Sequence, residues 1–304
     1  MTWQTPPNRA WLDSLPGIER DHPLAKHTTF NIGGAADYFV EIGDLAQLEA
    51  VVGEASERGI PCRVLGAGTN LLIADRGAEG LVARCVARGH RIDGECAEAE
   101  AGLKMMRLAR VAADANLVGF EFAIGVPGSI GGAVYQNAGC WGTELSSVLV
   151  SAEVYSPREG RRILPAEQLR LGYRTSAFRD GELRGELITR AFIRLRPGDG
   201  TAAKRRMAEL TRERERTQPI KTKNCGSVFK NPPGDSAGRL IEAAGLKGVW
   251  EGTAQVSEQH ANFIVNHGGA RTTDVQRLIE RIQAAVAERF GVELEPEVER
   301  FGRW

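Results

Sequence analysis

Two glycine-rich segments carry the first chemical signal in this 304-residue chain. In Gly66-Ala67-Gly68-Thr69-Asn70 a pair of glycines follows a short apolar run, and the missing Cβ atoms let backbone N–H groups approach an anion. The dinucleotide fingerprint G-x-G-x-x-G is broken, because Leu71 stands where its third glycine belongs; taken alone, the loop reads as a tight turn. The stretch from Gly125 to Glu144 is richer. It opens with Gly125-Val126-Pro127-Gly128-Ser129-Ile130-Gly131-Gly132, and its six glycines suit a backbone wrapped closely around a flat or charged ligand. Ile130, Ala133, Val134 and Tyr135 make it too apolar for a plain surface loop. Two anion-compatible loops point to a dinucleotide cofactor held without the Rossmann pattern.

Three shorter segments complete a candidate site: Tyr173-Arg174-Thr175-Ser176, Gly226-Ser227-Val228-Phe229-Lys230-Asn231-Pro232, and Leu294-Glu295-Pro296-Glu297-Val298. Singly, each has a plain reading: a surface arginine, a turn serine, a solvated strand edge. Together they supply a permanent cation, a hydroxyl donor and a carboxylate. His260 and His267 lack a Cys, Asp or Glu partner at ligand spacing, so no metal is assigned. Cys140 and Cys225 lie inside motifs without a neighbouring base to activate them.

The balance of charge narrows the partners. Lys+Arg 39 against Asp+Glu 39 gives a net charge of zero, which weighs against nucleic-acid or membrane-surface binding. The charged, proline-containing N-terminal residues do not resemble a signal peptide, and no apolar run has the length of a membrane span. Five cysteines without a C-x-x-C pair fit reduced thiols and a cytoplasmic location.

The elements that must position these residues are readable in outline. Asp44 precedes Leu45, Leu48, Val52 and Ala55 at helical spacing, Gln47 makes a capping-box-like pair with it, and Gly59 stops the helix. Strands are expected over Cys62–Leu65, Leu71–Ile73, Leu81–Val86 and Val148–Tyr155, with a helix over Leu103–Ala115, and this mixed α and β part ends near Leu187–Leu195. Beyond Pro197-Gly198 the pattern turns helical. A charged, largely solvated helix is expected over Thr201–Arg216, a short one over Ala237–Ala244, and a final one capped by Thr273 and Gln276, with Val275, Leu278, Ile279, Ile282 and Val286 buried. The expected division is an extension over 1–26, one domain over 27–198 and a second over 199–304.

In this order the motifs resemble those of the UDP-N-acetylenolpyruvoylglucosamine reductases of bacterial peptidoglycan synthesis. The resemblance runs from His27-Thr-Thr-Phe-Asn-Ile-Gly-Gly through both glycine segments and the Arg174, Ser227 and Glu297 motifs. It also includes Ala243-Ala-Gly-Leu-Lys-Gly248 and Val256-Ser-Glu-Gln-His-Ala-Asn-Phe-Ile-Val-Asn266. It implies an α+β chain, with an FAD-binding domain of the vanillyl-alcohol-oxidase type followed by a smaller α/β substrate-binding domain. It implies non-covalent FAD on Gly66, Ala67, Gly68, Thr69 and Asn70 and on Gly125, Val126, Pro127, Gly128, Ser129, Gly131 and Gly132, with NADPH as co-substrate. The catalytic trio it implies is Ser227 as proton donor, assisted by Arg174 and Glu297. Substrate contacts are expected at Lys230, Asn231 and Tyr173. The short spacing after Arg174 resembles the subclass that lacks an inserted tyrosine loop, and a monomer is expected.

The implied substrate, UDP-N-acetylglucosamine enolpyruvate, is a vinyl ether bearing a carboxylate. Hydride addition to its terminal carbon puts negative charge on the next carbon and its carboxylate, which a guanidinium fork matches. The centre formed is basic enough for a well-placed serine hydroxyl to quench. Two other readings compete: an FAD oxidase of the same cofactor superfamily, and a nucleotide-sugar-binding module without catalysis.

Overall fold

In the computed structural model, which describes residues 3–304, the Asp44 carboxylate accepts the N–H of Gln47 at 2.8 Å and starts the helix Leu45–Glu57 where the sequence predicts it. Gly59, at φ +66°, ends that turn in the left-handed region open to glycine. Leu45, Leu48, Val51, Val52 and Ala55 are buried on one face of the helix.

The described residues fall into two units. One comprises the chain up to Glu19 with Tyr38–Ala67 and Gly80–Arg212; the other comprises Arg20–Asp37, Gly68–Glu79 and Glu213–Trp304. Boundaries at 26 and 198 follow the chain, whereas these units do not, because Arg20–Asp37 and Gly68–Glu79 pack with the C-terminal segment.

The first unit has two cores. Leu48, Val52 and Ala55 of the Leu45–Glu57 helix pack with Val40, Leu81 and Ala83 in one of them. There the strand Cys62–Leu65 runs parallel to Ala78–Cys85, with Cys62 opposite Leu81 and Leu65 opposite Arg84. The second core lies on a five-stranded antiparallel sheet in the order Gly160–Pro165, Leu149–Ser156, Leu187–Arg194, Cys96–Glu100, His90–Asp93. Against it pack Met105, Leu108 and Ala112 of the helix Met105–Asp114, and Ile130 and Val134 of the six-residue helix Ile130–Tyr135. The charged helix Gly200–Thr217 is solvated over most of its surface, but Ala203, Met207 and Leu210 are buried in this same core.

The second unit holds the antiparallel sheet Trp250–Glu251, Ala254–Val256, Ile264–Asn266, the helices Ala237–Ala243 and Thr272–Phe290, and a parallel pair of Leu71–Ile73 with Glu299–Phe301. Its core joins Phe30 and Leu72 from the N-terminal third to Phe229, Ile241, Leu278 and Ile282. The expected stripe Val275, Leu278, Ile279, Ile282, Val286 is buried, and Gly291 ends the helix at φ +66°. Its cap differs from the expected Thr273–Gln276 pair. Asp274 accepts the Arg271 N–H at 2.9 Å, while Asp75, almost two hundred residues upstream, accepts the N–H groups of Thr272 at 2.8 Å and Thr273 at 3.2 Å. A carboxylate brought in by the fold thus joins the local one in capping the helix. All five cysteines are free thiols.

Candidate active site

In the first unit the two glycine segments meet. The strand ending at Leu65 delivers Gly66 against Ser129, so closely that a Cβ on Gly66 would lie 2.7 Å from the Ser129 Oγ. Ser129 opens the helix Ile130–Tyr135, its Oγ accepting the Gly132 N–H at 3.4 Å. Backbone bonds from Met105 to Gly128 (3.1 Å), from Ile130 to Leu103 (2.8 Å) and from Gly131 to Ala101 (2.9 Å) clamp the loop to its neighbours. The N–H groups of Ala67, Gly128 and Ser129 donate to no protein acceptor among the described residues. Amides left unpaired at adjoining glycine loops are what a phosphate-binding surface requires, so the residues present fit a dinucleotide cofactor. Gly125 lies so near the Trp141 ring that a Cβ there would come within 2.4 Å of it.

The rest of the first loop belongs to the second unit. Gly68 has φ +65°, and a Cβ would stand 2.0 Å from the His27 carbonyl oxygen. Asn70 donates through Nδ2 to the Glu297 carbonyl at 3.1 Å, and its own carbonyl accepts from Glu299 at 2.9 Å.

Arg174 lies in the first unit, in a turn closed by mutual backbone bonds between Gly172 and Thr175, both 3.2 Å. It takes φ +54°, a conformation uncommon outside glycine that surrounding contacts must hold. Its Nη2 donates to the Gly139 carbonyl at 2.8 Å, and its Nη1 reaches the Asn137 carbonyl at 3.5 Å and Glu144 Oε1 at 3.4 Å. The fully buried Ser176 donates to the Tyr135 carbonyl, tying the turn to the end of the Ile130–Tyr135 helix. Thus the Arg174 motif and the Gly125–Glu144 segment come together. Tyr173 is exposed, its ring 5.1 Å from the Arg174 guanidinium carbon.

Ser227 and Glu297 lie in the second unit on neighbouring extended segments. The Val228 carbonyl accepts from Glu297 at 2.8 Å, and Lys230 donates to the Glu295 carbonyl at 2.9 Å. Ser227 follows Gly226 at φ +82°, whose N–H is taken by Asn224 Oδ1 at 2.9 Å. Lys230 Nζ pairs with Glu295 Oε1 at 2.6 Å, and Asn231 Oδ1 accepts the Ala237 N–H at 3.0 Å. Burial pushes the Cys225 thiol up to about 12, and the nearby Glu297 charge pushes the same way against its own backbone hydrogen bond. His260 is an acceptor for the Asn262 N–H at 3.3 Å, and His267 bonds Gln255 at 2.8 Å. Among the described residues no group of three or more His, Cys, Asp or Glu side chains could hold a metal, and no helix is long and apolar enough to cross a membrane.

Sequence reasoning did not single out Asn137 and Glu144, which bond the turn of Arg174, or Asn262, which bonds both backbone groups of Phe229, two residues after Ser227. Asn137 and Glu144 sit inside a segment singled out for its glycines, and Asn262 has no local pattern that shows its partner.

Residues 36–163 match the family model described as FAD binding domain, and residues 218–301 match that of the UDP-N-acetylenolpyruvoylglucosamine reductase C-terminal domain. Over 291 residues the chain is 44% identical to the UDP-N-acetylenolpyruvoylglucosamine reductase of Rubrobacter xylanophilus, covering 95% of this chain and 96% of that protein. To UDP-N-acetylenolpyruvoylglucosamine reductase 2 of Symbiobacterium thermophilum it is 42% identical, covering 94% and 93%. Among solved structures, the UDP-N-acetylenolpyruvylglucosamine reductase from Thermus caldophilus matches with a TM-score of 0.80 at 37% identity, over 93% of this chain and 98% of that one.

Proposed function

The chain belongs to the UDP-N-acetylenolpyruvoylglucosamine reductase family, an α+β flavoprotein family with an FAD-binding domain and a smaller C-terminal domain. We propose on that footing that it reduces UDP-N-acetylglucosamine enolpyruvate to UDP-N-acetylmuramate, as a cytoplasmic monomer using NADPH and non-covalent FAD. The observation that carries the reading is the held guanidinium of Arg174, bonded to the Gly139 carbonyl within the glycine-rich segment.

FAD, when bound, would supply hydride-transfer chemistry between NADPH and the terminal vinyl carbon. Gly66, Ala67, Gly68, Thr69 and Asn70, with Gly125, Val126, Pro127, Gly128, Ser129, Gly131 and Gly132, would hold the cofactor, the unpaired N–H groups of Ala67, Gly128 and Ser129 being available as donors to phosphate. Arg174 binds the substrate carboxylate and stabilises the charge that grows on it, a role in which a permanent cation with forked donors is favoured. Ser227 Oγ donates the proton to the carbon bearing that carboxylate. Glu297 assists as a carboxylate able to orient water or share that proton. Lys230, Asn231 and Tyr173 contact the substrate.

The test is anaerobic. Holoenzyme reduced with NADPH should regain the oxidised flavin spectrum on adding the enolpyruvyl sugar, and Ser227→Ala should retain reduction but lose most of the reoxidation rate. Flavin that stays reduced until oxygen enters would support an oxidase instead; unimpaired reoxidation in Ser227→Ala would remove the serine from the chemistry.

A further inference from the structure

Arg174 is held by a side-chain network that reaches well past the motif in which it sits. Glu144 lies on the short strand Thr143–Glu144, paired antiparallel with Gly139–Cys140, so that Glu144 faces Gly139. A side chain at 139 would not fit, since its Cβ would come within 2.8 Å of Glu144 Cγ. The Glu144 side chain therefore lies over Gly139 and presents both carboxylate oxygens to donors. Oε1 faces Arg174 Nη1 at 3.4 Å, and Oε2 accepts from Asn137 Nδ2 at 2.9 Å. Asn137 is fully buried and takes φ +47°, a conformation that asparagine tolerates better than most residues. Its Nδ2 donates a second time, to the Gly172 carbonyl at 2.9 Å, and its Oδ1 accepts the Ser146 N–H at 2.9 Å. One asparagine thus fastens the Gly139–Glu144 hairpin to the turn that carries Arg174.

Both groups that meet Glu144 are donors. Only a double acceptor satisfies the two together, and a carboxylate is the side chain that provides one. A glutamine in its place would turn an NH2 group towards either Arg174 or Asn137.

We propose that Glu144 and Asn137 are positioning residues for Arg174, fixing the direction of its guanidinium before the substrate carboxylate arrives. This rests on the substrate-binding role assigned to Arg174 above. Displacing a charge-stabilising group by about 1 Å costs on the order of 10²-fold in rate. The effect belongs to the half-reaction in which the enolpyruvyl sugar accepts the hydride.

The experiment is a double-mutant cycle on the holoenzyme with Glu144→Gln, Arg174→Ala and both together. Each is read by flavin content, by the rate of flavin reduction with NADPH and by single-turnover reoxidation with UDP-N-acetylglucosamine enolpyruvate. The expected result is that Glu144→Gln slows reoxidation by roughly ten- to a hundredfold and slows reduction far less. The double variant should be no slower than Arg174→Ala, since Glu144 acts through Arg174. Normal reoxidation in Glu144→Gln beside a slow Arg174→Ala would overturn the positioning role, as would losses that multiply in the double variant. Normal reoxidation in Arg174→Ala would instead remove the role of Arg174, and this proposal with it. Should Glu144→Gln lose flavin, Glu144→Asp, whose side chain is one carbon shorter and draws the carboxylate back from Arg174 Nη1 and Asn137 Nδ2, takes its place in the cycle with the same expected slowing; loss of flavin in both makes Glu144 a structural residue and overturns the proposal.

Discussion

Asn262 closes both backbone groups of Phe229: its Oδ1 accepts the Phe229 N–H at 2.9 Å and its Nδ2 donates to the Phe229 carbonyl at 2.8 Å. Its own carbonyl takes the Val228 N–H at 2.9 Å. One side chain thus does the work of a neighbouring strand for the segment that presents Ser227, in a region where Phe229 and Asn262 are almost wholly buried. Asn262→Ala leaves two buried backbone groups without partners, each costing about 1–3 kcal/mol. The expected loss is roughly 2–6 kcal/mol in urea unfolding of the holoenzyme, and an unchanged midpoint and slope would show that the bonds do not matter to stability.

A second prediction concerns the cap of the Thr272–Phe290 helix. Burial pushes the Asp75 carboxyl up, but hydrogen bonds from Thr273 and Thr272 and the nearby Arg271 charge outweigh it and hold the group below 3.8. A depressed folded-state value means that the contribution is present above pH 3.8 and is lost as pH falls through the folded value. Asp75→Asn should therefore cost about 1–2 kcal/mol at pH 7. The gap between variant and parent should narrow in acid, which unfolding curves at pH 7 and near pH 3 would reveal; a gap of constant size would rule out the charged cap.

Gly68 and Gly142 form a matched pair for substitution. Both take positive φ, +65° and +75°, but a Cβ at Gly68 meets the His27 carbonyl oxygen at 2.0 Å while one at Gly142 meets nothing within 4 Å. Gly142→Ala should cost only the left-handed conformation, about 1–2 kcal/mol. For Gly68→Ala the clash adds to that, bringing the loss to roughly 3 kcal/mol or more. Melting temperature and retained flavin measure both, and equal losses would contradict the close approach.

Thiol chemistry gives a fourth check. Cys96 is exposed, whereas Cys225 is buried with its pKa raised to about 12. Native protein at pH 8 should react with a disulfide reagent at Cys96 long before Cys225, which should label only on unfolding. Because the folded thiol stays protonated while the unfolded one ionises near 9, folding stability should fall as pH rises from 9 towards 12. That part of the alkaline loss should vanish in Cys225→Ser; its persistence would place the cause elsewhere.

The elements that the sequence showed best are those whose signal is local. Asp44 caps its helix, Leu278 and Ile282 sit on a buried stripe, and Cys62–Leu65 is the strand that its composition suggests. The glycine loops were legible too, since a missing Cβ is itself a statement about close approach. Harder to read was everything that depends on side chains meeting across long stretches of chain. Asp75 at the helix start, Asn262 around Phe229 and Glu144 beside Arg174 carry no periodicity or spacing, because their partners are chosen by the fold. Lys230 illustrates the same limit: its sequence neighbourhood suggests a substrate contact, and the fold also gives it Glu295 as an ion-pair partner.

The parallel pairing of Leu71–Ile73 with Glu299–Phe301 bears on how the chain is made. During synthesis at about 5–20 residues per second, the second strand leaves the ribosome roughly 10–50 s after the first. Throughout that interval Leu72, destined for the core it shares with Phe229 and Ile282, has no finished core to enter. Completion of the second unit therefore waits for Glu299–Phe301 to be translated, and a nascent chain stalled short of Glu299 leaves an open strand edge for chaperones, or for other chains, to find.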